Sequence, residues 1–159
     1  MTQTSPQRGI ESPTVRPVLP RFPELDTQPF WDATKLHQLT YQTCNRCQAV
    51  VFYPRGHCTR CTSLDLTWNV SAGLGAIYTY SVIRRSQHPS FVPKVPYVIA
   101  WVDLDERLRI MTHIIDVDPD DPANGLQIGA RVAVHWLDFD TVSLPAFRLA
   151  EVSHEQPDE

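Results

Sequence analysis

Four cysteines, the only ones in the 159-residue chain, form two Cys-x-x-Cys pairs with ten residues between them. Each pair makes a tight turn that directs two sulfurs toward one point, and two such turns give the tetrathiolate cage that zinc prefers. The predicted ligands of one structural zinc are Cys44, Cys47, Cys58 and Cys61. The alternatives are disulfides or a ribbon that has lost its metal. Disulfides need an oxidising compartment, and the N-terminus shows no export signal, so a cytoplasmic metal protein is expected.

Charge is distributed unevenly along the chain. Residues 30–95 carry seven basic and two acidic side chains, whereas residues 96–159 carry four basic and thirteen acidic ones. The basic excess either offsets the charge of the thiolates or attracts an anionic ligand. No apolar run approaches the roughly 20 residues that a membrane-spanning helix needs, so no membrane association is expected.

Composition and pattern divide the chain into four segments. Residues 1–25 hold five of the fourteen prolines and are expected to form an extended or disordered arm. Residues 26–65 are predicted to contain a short helix and the zinc ribbon. A barrel is predicted for residues 66–152, followed by an acidic tail at residues 153–159.

A short helix is predicted at the start of the second segment. Asp26 or Thr27 is suited to cap it, and Pro29 is tolerated in its first turn. The helix would carry Phe30 and Trp31. An exposed aromatic pair is uncommon, so this pair is expected to be buried against the domain or against a partner.

Short apolar segments separated by turn residues predict a mainly β fold. The segments are residues 66–70, 76–83, 96–104, 108–114, 130–137 and 147–152. The first two are interpreted as one long strand, with a bulge or sharp bend at Gly73 and Gly75. Five strands with an early bend match an OB-type barrel.

The sequence contains no recognisable catalytic constellation. Walker, Gly-x-Gly-x-x-Gly, His-Glu-x-x-His and Gly-x-Ser-x-Gly motifs are all missing from it. Four thiolate ligands would also leave the zinc no open position for chemistry. His57 adjoins Cys58 but is a poorer ligand than the paired thiolates, and His113 and His135 are interpreted as hydrogen-bonded barrel residues. The chain is therefore expected to be a binding or scaffolding module and not an enzyme on its own.

Eight short motifs follow one another along the chain. They are Pro29-Phe30-Trp31, Cys44-x-x-Cys47, Tyr53-Pro54-Arg55-x-x-Cys58-x-x-Cys61, Gly75-x-Ile77-Tyr78-Thr79-Tyr80, Pro96-Tyr97-Val98-Ile99-Ala100, Val102-Asp103-Leu104-Asp105-Glu106, Ile128-Gly129-x-Arg131-Val132 and Leu144-Pro145-x-Phe147. In this order they resemble the acyl-CoA-associated OB-fold family known as domain of unknown function 35. The resemblance covers about residues 28–150. Arg107 departs from it, because family members often carry glycine after the Asp-Glu pair.

The resemblance implies an N-terminal helix, a rubredoxin-like zinc ribbon and a C-terminal five-stranded OB barrel. It also implies an accessory subunit, because family members accompany thiolases, acyltransferases and retro-aldolases of sterol side-chain degradation. The thiolase-like partner would supply the catalytic residues, and this chain would bridge the complex and help form the site of a CoA thioester. By resemblance, the hetero-oligomer is expected to contain two copies of each subunit.

Two sets of residues are candidates for these contacts. Phe30 and Trp31 are expected to dock against the partner. Arg84, Arg85 and Lys94 flank a proline-rich loop between two predicted strands and are expected to approach the phosphates of CoA. The alternative for the basic residues is a solvated loop.

A different class of function is also compatible with the pattern. Zinc ribbons and OB barrels recur in proteins that bind single-stranded nucleic acid. Tyr78, Tyr80 and Trp101 would stack on bases in such a protein, although aromatic residues on barrel strands more often belong to the core. The acidic later strands argue against a groove that follows phosphates. The third hypothesis, a free-standing enzyme, lacks a nucleophile–base pair.

Overall fold

The computed structural model describes residues 19, 26–121 and 125–150. Helix α1 (Gln28–Thr34) precedes eight strands, which are β1 (Thr40–Cys44), β2 (Val50–Val51), β3 (Leu66–Val70), β4 (Leu74–Ile83), β5 (Tyr97–Leu104), β6 (Arg109–Ile114), β7 (Arg131–Asp138) and β8 (Ser143–Leu149). The predicted mainly β fold with one N-terminal helix is confirmed. Apart from Leu19, the predicted arm lies outside the described residues, as does the predicted acidic tail. Within the described part of the chain, no helix has the length and apolar character needed to cross a membrane.

Strands β1 to β3 form the sheet of the metal-binding ribbon. Their order is β2-β1-β3, and β3 pairs antiparallel with β1 along its whole length, from Thr40 opposite Val70 to Cys44 opposite Leu66. Leu66–Val70 therefore belongs to the ribbon sheet and not to the barrel for which it is predicted from the sequence. The alternation within a strand indicates which side is buried, but it does not identify the sheet that the strand joins.

The remaining five strands close into a barrel in the order β4-β5-β6-β8-β7, and β7 returns to pair with β4. All pairs are antiparallel except β6 with β8, which meet at Ile114 and Phe147. This arrangement is the predicted OB-type barrel. Its centre is filled by fully buried side chains that include Ile77, Val98, Val102, Val132 and Phe147.

Gly73 lies between the ribbon and the barrel, and Gly75 lies at the start of β4. Gly73 has φ +71, and a Cβ at this position would lie 2.2 Å from Cγ1 of Val134. A Cβ on Gly75 would lie 2.4 Å from the carbonyl oxygen of Asp103. Both glycines therefore permit close approach of the backbone at the start of β4. The predicted bulge itself lies further along, between Ile77 and Thr79.

Helix α1 is packed against the barrel of its own chain. Thr27 occupies the N-cap position, and Pro29 lies in the first turn as predicted. Phe30 is 5% exposed and belongs to the same core cluster as the barrel interior. Just after the helix, Nε2 of His37 lies 2.8 Å from Oδ1 of Asp138, and its ring stacks on Trp136 with centroids 5.4 Å apart. Helix and barrel thus share one hydrophobic core.

Candidate functional site

The four cysteines form a compact cluster of sulfurs. All four Sγ atoms lie within 4.8 Å of one another, with Cys44 and Cys61 at 3.6 Å and Cys47 and Cys58 at 3.7 Å. A tetrahedral site with Zn–S bonds of about 2.3 Å places its sulfurs about 3.8 Å apart. The cluster therefore has the dimensions of a tetrathiolate metal site.

Two equivalent turns position these sulfurs. The amide of Gln48 donates to the carbonyl of Cys44 at 2.8 Å, and the amide of Thr62 donates to the carbonyl of Cys58 at 2.9 Å. Gln48 and Thr62 each follow the first cysteine of a pair by four residues, and both adopt left-handed conformations, with φ of 57° and 60°. The repeated geometry shows that each Cys-x-x-Cys pair forms the same knuckle.

The environment of the sulfurs supports a bound divalent cation. Burial opposes ionisation of Cys58, yet the backbone amides of Arg60 and Cys61 lower the pKa of this thiol to about 7. The backbone amide of Ser63 favours the thiolate of Cys61, but burial and the neighbouring sulfurs raise the pKa of this thiol to about 12. The proximity of the sulfurs to one another therefore opposes full ionisation of the cluster. A cation at the centre would supply the missing stabilisation.

The metal site is also the core of the ribbon. Cys44 and Cys58 are fully buried and cluster with Val51, while Cys47 and Cys61 are partly buried around them. Among the described residues, the candidate ligand cluster contains the four cysteines and not His57, which is exposed. The geometry therefore supports a structural metal with a closed coordination sphere.

The three basic residues predicted to contact CoA have different surroundings. Arg84 follows β4 and contacts Oδ1 of Asp120 at 2.5 Å. Arg85 is exposed beside it. Lys94 ends a short 3₁₀ turn, and its Nζ lies 5.6 Å from the centre of the Phe91 ring, at the edge of an apolar cavity. Of these three residues, only Arg84 forms an ion pair with a carboxylate in the part of the chain that the structure describes.

The two aromatic residues predicted to dock against a partner also differ. Phe30 already lies in the core of its own chain. Trp31 is half-buried and lines a groove of about 360 Å³, together with Tyr53 from the ribbon and Met111 from β6. Of the predicted pair, Trp31 is the residue with surface left for a partner.

Four exposed residues form a surface, here named the outer patch, of which the sequence indicated only Tyr78 and Trp101 as candidate binding residues. They are Tyr53, Tyr78, Trp101 and Met111, which are between 39% and 54% exposed. Trp101 and Met111 are directly opposite on β5 and β6, so their side chains share one face of the sheet. The backbone amide of Met111 donates to the hydroxyl of Tyr53 at 3.1 Å, which extends the patch onto the ribbon.

The outer patch corrects the expectation that Tyr78 and Trp101 belong to the core. Buried Ala100 and Val102 flank Trp101 on β5. This alternation was the signal available in the sequence, because successive side chains of a strand point to opposite faces. Tyr78 turns outward at the bulge, and the guanidinium of Arg109 lies 3.4 Å from the centre of its ring.

Carboxylates of the acidic second half are used within the fold. Asp103 accepts two hydrogen bonds from Arg109 at 2.5 and 2.8 Å, and Asp105 accepts two from Arg131 at 2.8 and 2.7 Å. These arginine hydrogen bonds lower the pKa of both carboxyl groups, against the opposing effect of desolvation. The negative charge near the β5–β6 turn is therefore largely balanced by the chain itself.

Comparison with known proteins identifies the family. Residues 31–67 match the family described as "ChsH2, rubredoxin-like zinc ribbon domain", and residues 68–137 match "ChsH2, C-terminal OB-fold domain". A "DUF35 domain-containing scaffold protein" from Methanothermobacter thermautotrophicus is 34% identical over 97 residues, which are 60% of this chain and 69% of that protein. The chain belongs to the DUF35 family.

Two further matches cover more of this chain. A protein of Thermomonospora curvata named "Probable enoyl-CoA hydratase alpha subunit" is 35% identical over 128 residues, which are 79% of this chain and 38% of that protein. This DUF35 chain therefore spans well under half of that relative. A solved structure entitled "Ltp2-ChsH2(DUF35) aldolase" superimposes with a TM-score of 0.70 and 33% identity, covering 86% of this chain and all of that chain.

Proposed function

We propose that this DUF35 chain is a non-catalytic accessory subunit of a thiolase-superfamily enzyme that acts on acyl-CoA thioesters. The outer patch is the observation that carries the proposal, because exposed apolar surface of this kind marks protein interfaces. The match to the whole DUF35 chain of the structure entitled "Ltp2-ChsH2(DUF35) aldolase" supports it. The partner supplies the reacting groups, and this chain bridges the assembly and contributes to the CoA site. A complex with two copies of each subunit is proposed from the family resemblance.

The interface is tested by mixing the purified chain with a thiolase-like protein that co-purifies from its native host. Mass in solution then gives the stoichiometry. We expect Trp101→Ala to weaken association by about 30-fold or more, since buried tryptophans at interfaces commonly contribute about 2 kcal/mol or more. Met111→Glu, which places a charge in the outer patch, should act in the same direction. Leu64→Glu is the matched control, because Leu64 is exposed on the ribbon, just after the second cysteine pair, and is not a residue of the outer patch.

Two results would argue against the proposed assembly. A chain that stays monomeric beside the thiolase-like protein would contradict a role as its subunit. Equal losses of affinity with Met111→Glu and Leu64→Glu would show that the outer patch is not the contact surface. An isolated chain that turns over an acyl-CoA would contradict the non-catalytic assignment.

We further propose that the site holds one zinc ion with a structural role. Because ligation stabilises only the folded ribbon, Cys44→Ser should disrupt it and abolish partner docking. Metal analysis of freshly purified, reduced protein should find about one zinc per chain. Iron in place of zinc would change the metal assignment but not the ligand set. Metal-free protein with an intact ribbon would refute both the zinc assignment and the ligand set.

For the CoA thioester, we assign the phosphates to the loop that follows β4. Arg85 is exposed there, and Arg84 would exchange Asp120 for a phosphate group. The third predicted residue, Lys94, faces the apolar cavity. Replacing both arginines with alanine should weaken CoA-thioester binding by the assembled complex, and Lys35→Ala provides a control for loss of an exposed cation on α1. Unchanged affinity at low salt would refute the assignment.

The runner-up function is binding of single-stranded nucleic acid. Exposure of Tyr78 and Trp101 on neighbouring strands favours it, because bases stack on such aromatic side chains. Salt-dependent retention of the chain on single-stranded DNA, lost in Trp101→Ala, would support it. No retention at low salt would argue against nucleic-acid binding and would favour a protein partner for the outer patch.

A further inference from the structure

An apolar cavity of about 390 Å³ opens on the barrel surface, apart from the metal site. Its walls come from the loop between β4 and β5, the end of β6 and the segment that joins β7 to β8. Buried Val98 and Ile114 form its floor, and Leu137 and Leu144 continue the apolar lining. A volume of this size lies within the range of small-molecule sites.

Three rings form one wall of the cavity. Phe91 lies 5.5 Å from Tyr97 and 6.0 Å from His113, and Tyr97 lies 5.3 Å from His113, all measured between ring centres. The planes of Phe91 and His113 are within 9° of parallel. Burial, reinforced by the charge of Lys94, lowers the pKa of His113, so this imidazole is neutral at physiological pH. The wall therefore presents uncharged flat surfaces to an occupant.

One positive charge stands at the edge of this wall. The ammonium of Lys94 lies over the ring of Phe91, and within residues 26–121 and 125–150 it has no carboxylate partner. The lining contains one carboxylate, on Asp116, which is paired with Arg148. The cavity thus combines an apolar interior with a single uncompensated cation.

We propose that this cavity binds a small aromatic carboxylate. Its ring lies against Phe91, Tyr97 and His113, and its carboxylate lies at the ammonium of Lys94. Aromatic rings at such separations stack favourably in offset or tilted arrangements. An anionic end is favoured because the exposed ammonium of Lys94 at the cavity edge can donate a charge-assisted hydrogen bond to it. The inference does not rest on the proposed function, since all of its groups belong to this chain.

The cavity volume indicates the size of the ligand. It corresponds to about 13 water molecules at their share of liquid volume, which suits a fused two-ring acid. The probe is therefore 2-naphthoate, with 2-naphthalenemethanol as a neutral analogue of the same ring system. A dissociation constant of about 1 mM or below is expected for a ligand of this size.

The test is an amide chemical-shift titration of the full zinc-bound chain. We expect 2-naphthoate to shift the amides of Phe91, Tyr97 and His113, and Lys94→Gln to weaken its binding about tenfold, as for loss of a charge-assisted hydrogen bond. Lys94→Gln should leave binding of the neutral alcohol unchanged. Lys35→Gln is the matched control and should leave both unchanged. Because the chain is assayed without partner or CoA, the outcome is independent of the proposed assembly.

Several results would overturn the proposal. One is the absence of shifts at about 1 mM naphthoate, near the expected dissociation constant. Another is a set of shifts centred on Trp31 and Met111, which would place the ligand in the other groove. Equal affinity of wild type and Lys94→Gln for naphthoate would show that the carboxylate makes no contact with Lys94. Equal affinity of the wild type for the acid and the alcohol would show the same.

Discussion

Replacing Phe30 with alanine distinguishes an internal anchor from a residue reserved for a partner. The ring is 5% exposed and packs edge-on against Trp31 at 5.1 Å and Phe52 at 6.2 Å. Burying a phenylalanine contributes about 1.5–3 kcal/mol, and the cavity left by Phe→Ala raises the loss to about 3–5 kcal/mol. Helix α1 has seven residues and little stability of its own, so it should partly detach and relieve the cavity. We therefore expect a loss of about 3 kcal/mol, at the low end of that range.

The assay is urea unfolding of the zinc-loaded chain at fixed free zinc, followed by tryptophan fluorescence. Trp31 lies next to the substituted residue and contributes to the combined signal of the four tryptophans of the chain. Leu36→Ala is the control, because Leu36 is exposed just beyond the same helix and its loss should change stability by no more than about 0.5 kcal/mol. The reasoning is refuted if Phe30→Ala unfolds like the control while partner docking is lost.

Three further predictions concern backbone strain and acid stability. Gly129→Ala should lower the free energy of unfolding by about 1 kcal/mol, because alanine is strained at the positive φ of this position. Gly73→Ala should lower it by about 2 kcal/mol more, because its Cβ would also meet Val134. Equal melting temperatures of the two variants would contradict this. Arg107 has φ 65°, so Arg107→Gly should stabilise the fold by up to about 1 kcal/mol in thermal unfolding, and a lowered midpoint would argue against strain. Hydrogen bonding to Arg131 lowers the pKa of Asp105, so the stabilising contribution of this carboxylate is present above about pH 4 and is lost as pH falls. Asp105→Asn should therefore weaken the decrease in stability below about pH 4. An unchanged decrease would show that other groups control it.

Local features of the sequence were sufficient to predict the ribbon and the number of barrel strands. The Cys-x-x-Cys spacing determines the knuckle geometry within a few residues, so no distant contact was needed to predict the ligands. The start of β8 was missed by four residues, because Pro145 lacks an amide donor and counts against a strand. In the structure its carbonyl accepts a hydrogen bond from the hydroxyl of Thr112 at 2.9 Å, which stabilises this irregular position.

Long-range pairings were beyond the reach of the sequence pattern. The pairing of β3 with β1 joins residues 22 to 30 positions apart, from Cys44 opposite Leu66 to Thr40 opposite Val70, and a strand pattern carries no information about its neighbour. The pairing of Asp105 with Arg131 joins residues 26 positions apart. Charge counts along the chain therefore showed an acidic half without revealing that part of its charge is neutralised inside the fold. Only the folded arrangement separates Arg84, held by Asp120, from Lys94 at the cavity.

The outer patch has features that favour a protein partner over single-stranded nucleic acid. Proteins that bind single strands combine stacking aromatics with a positively charged groove along the backbone. Beside Tyr78 the nearest cation is Arg109, whose guanidinium already covers the ring and is held by two hydrogen bonds to Asp103. Next to Trp101 the surface continues through Met111 to Tyr53, and the groove that Met111 and Tyr53 line includes one exposed cation, Arg55. A surface with one aromatic face covered and one exposed cation lacks the positively charged groove that single strands need, so the accessory-subunit proposal ranks first.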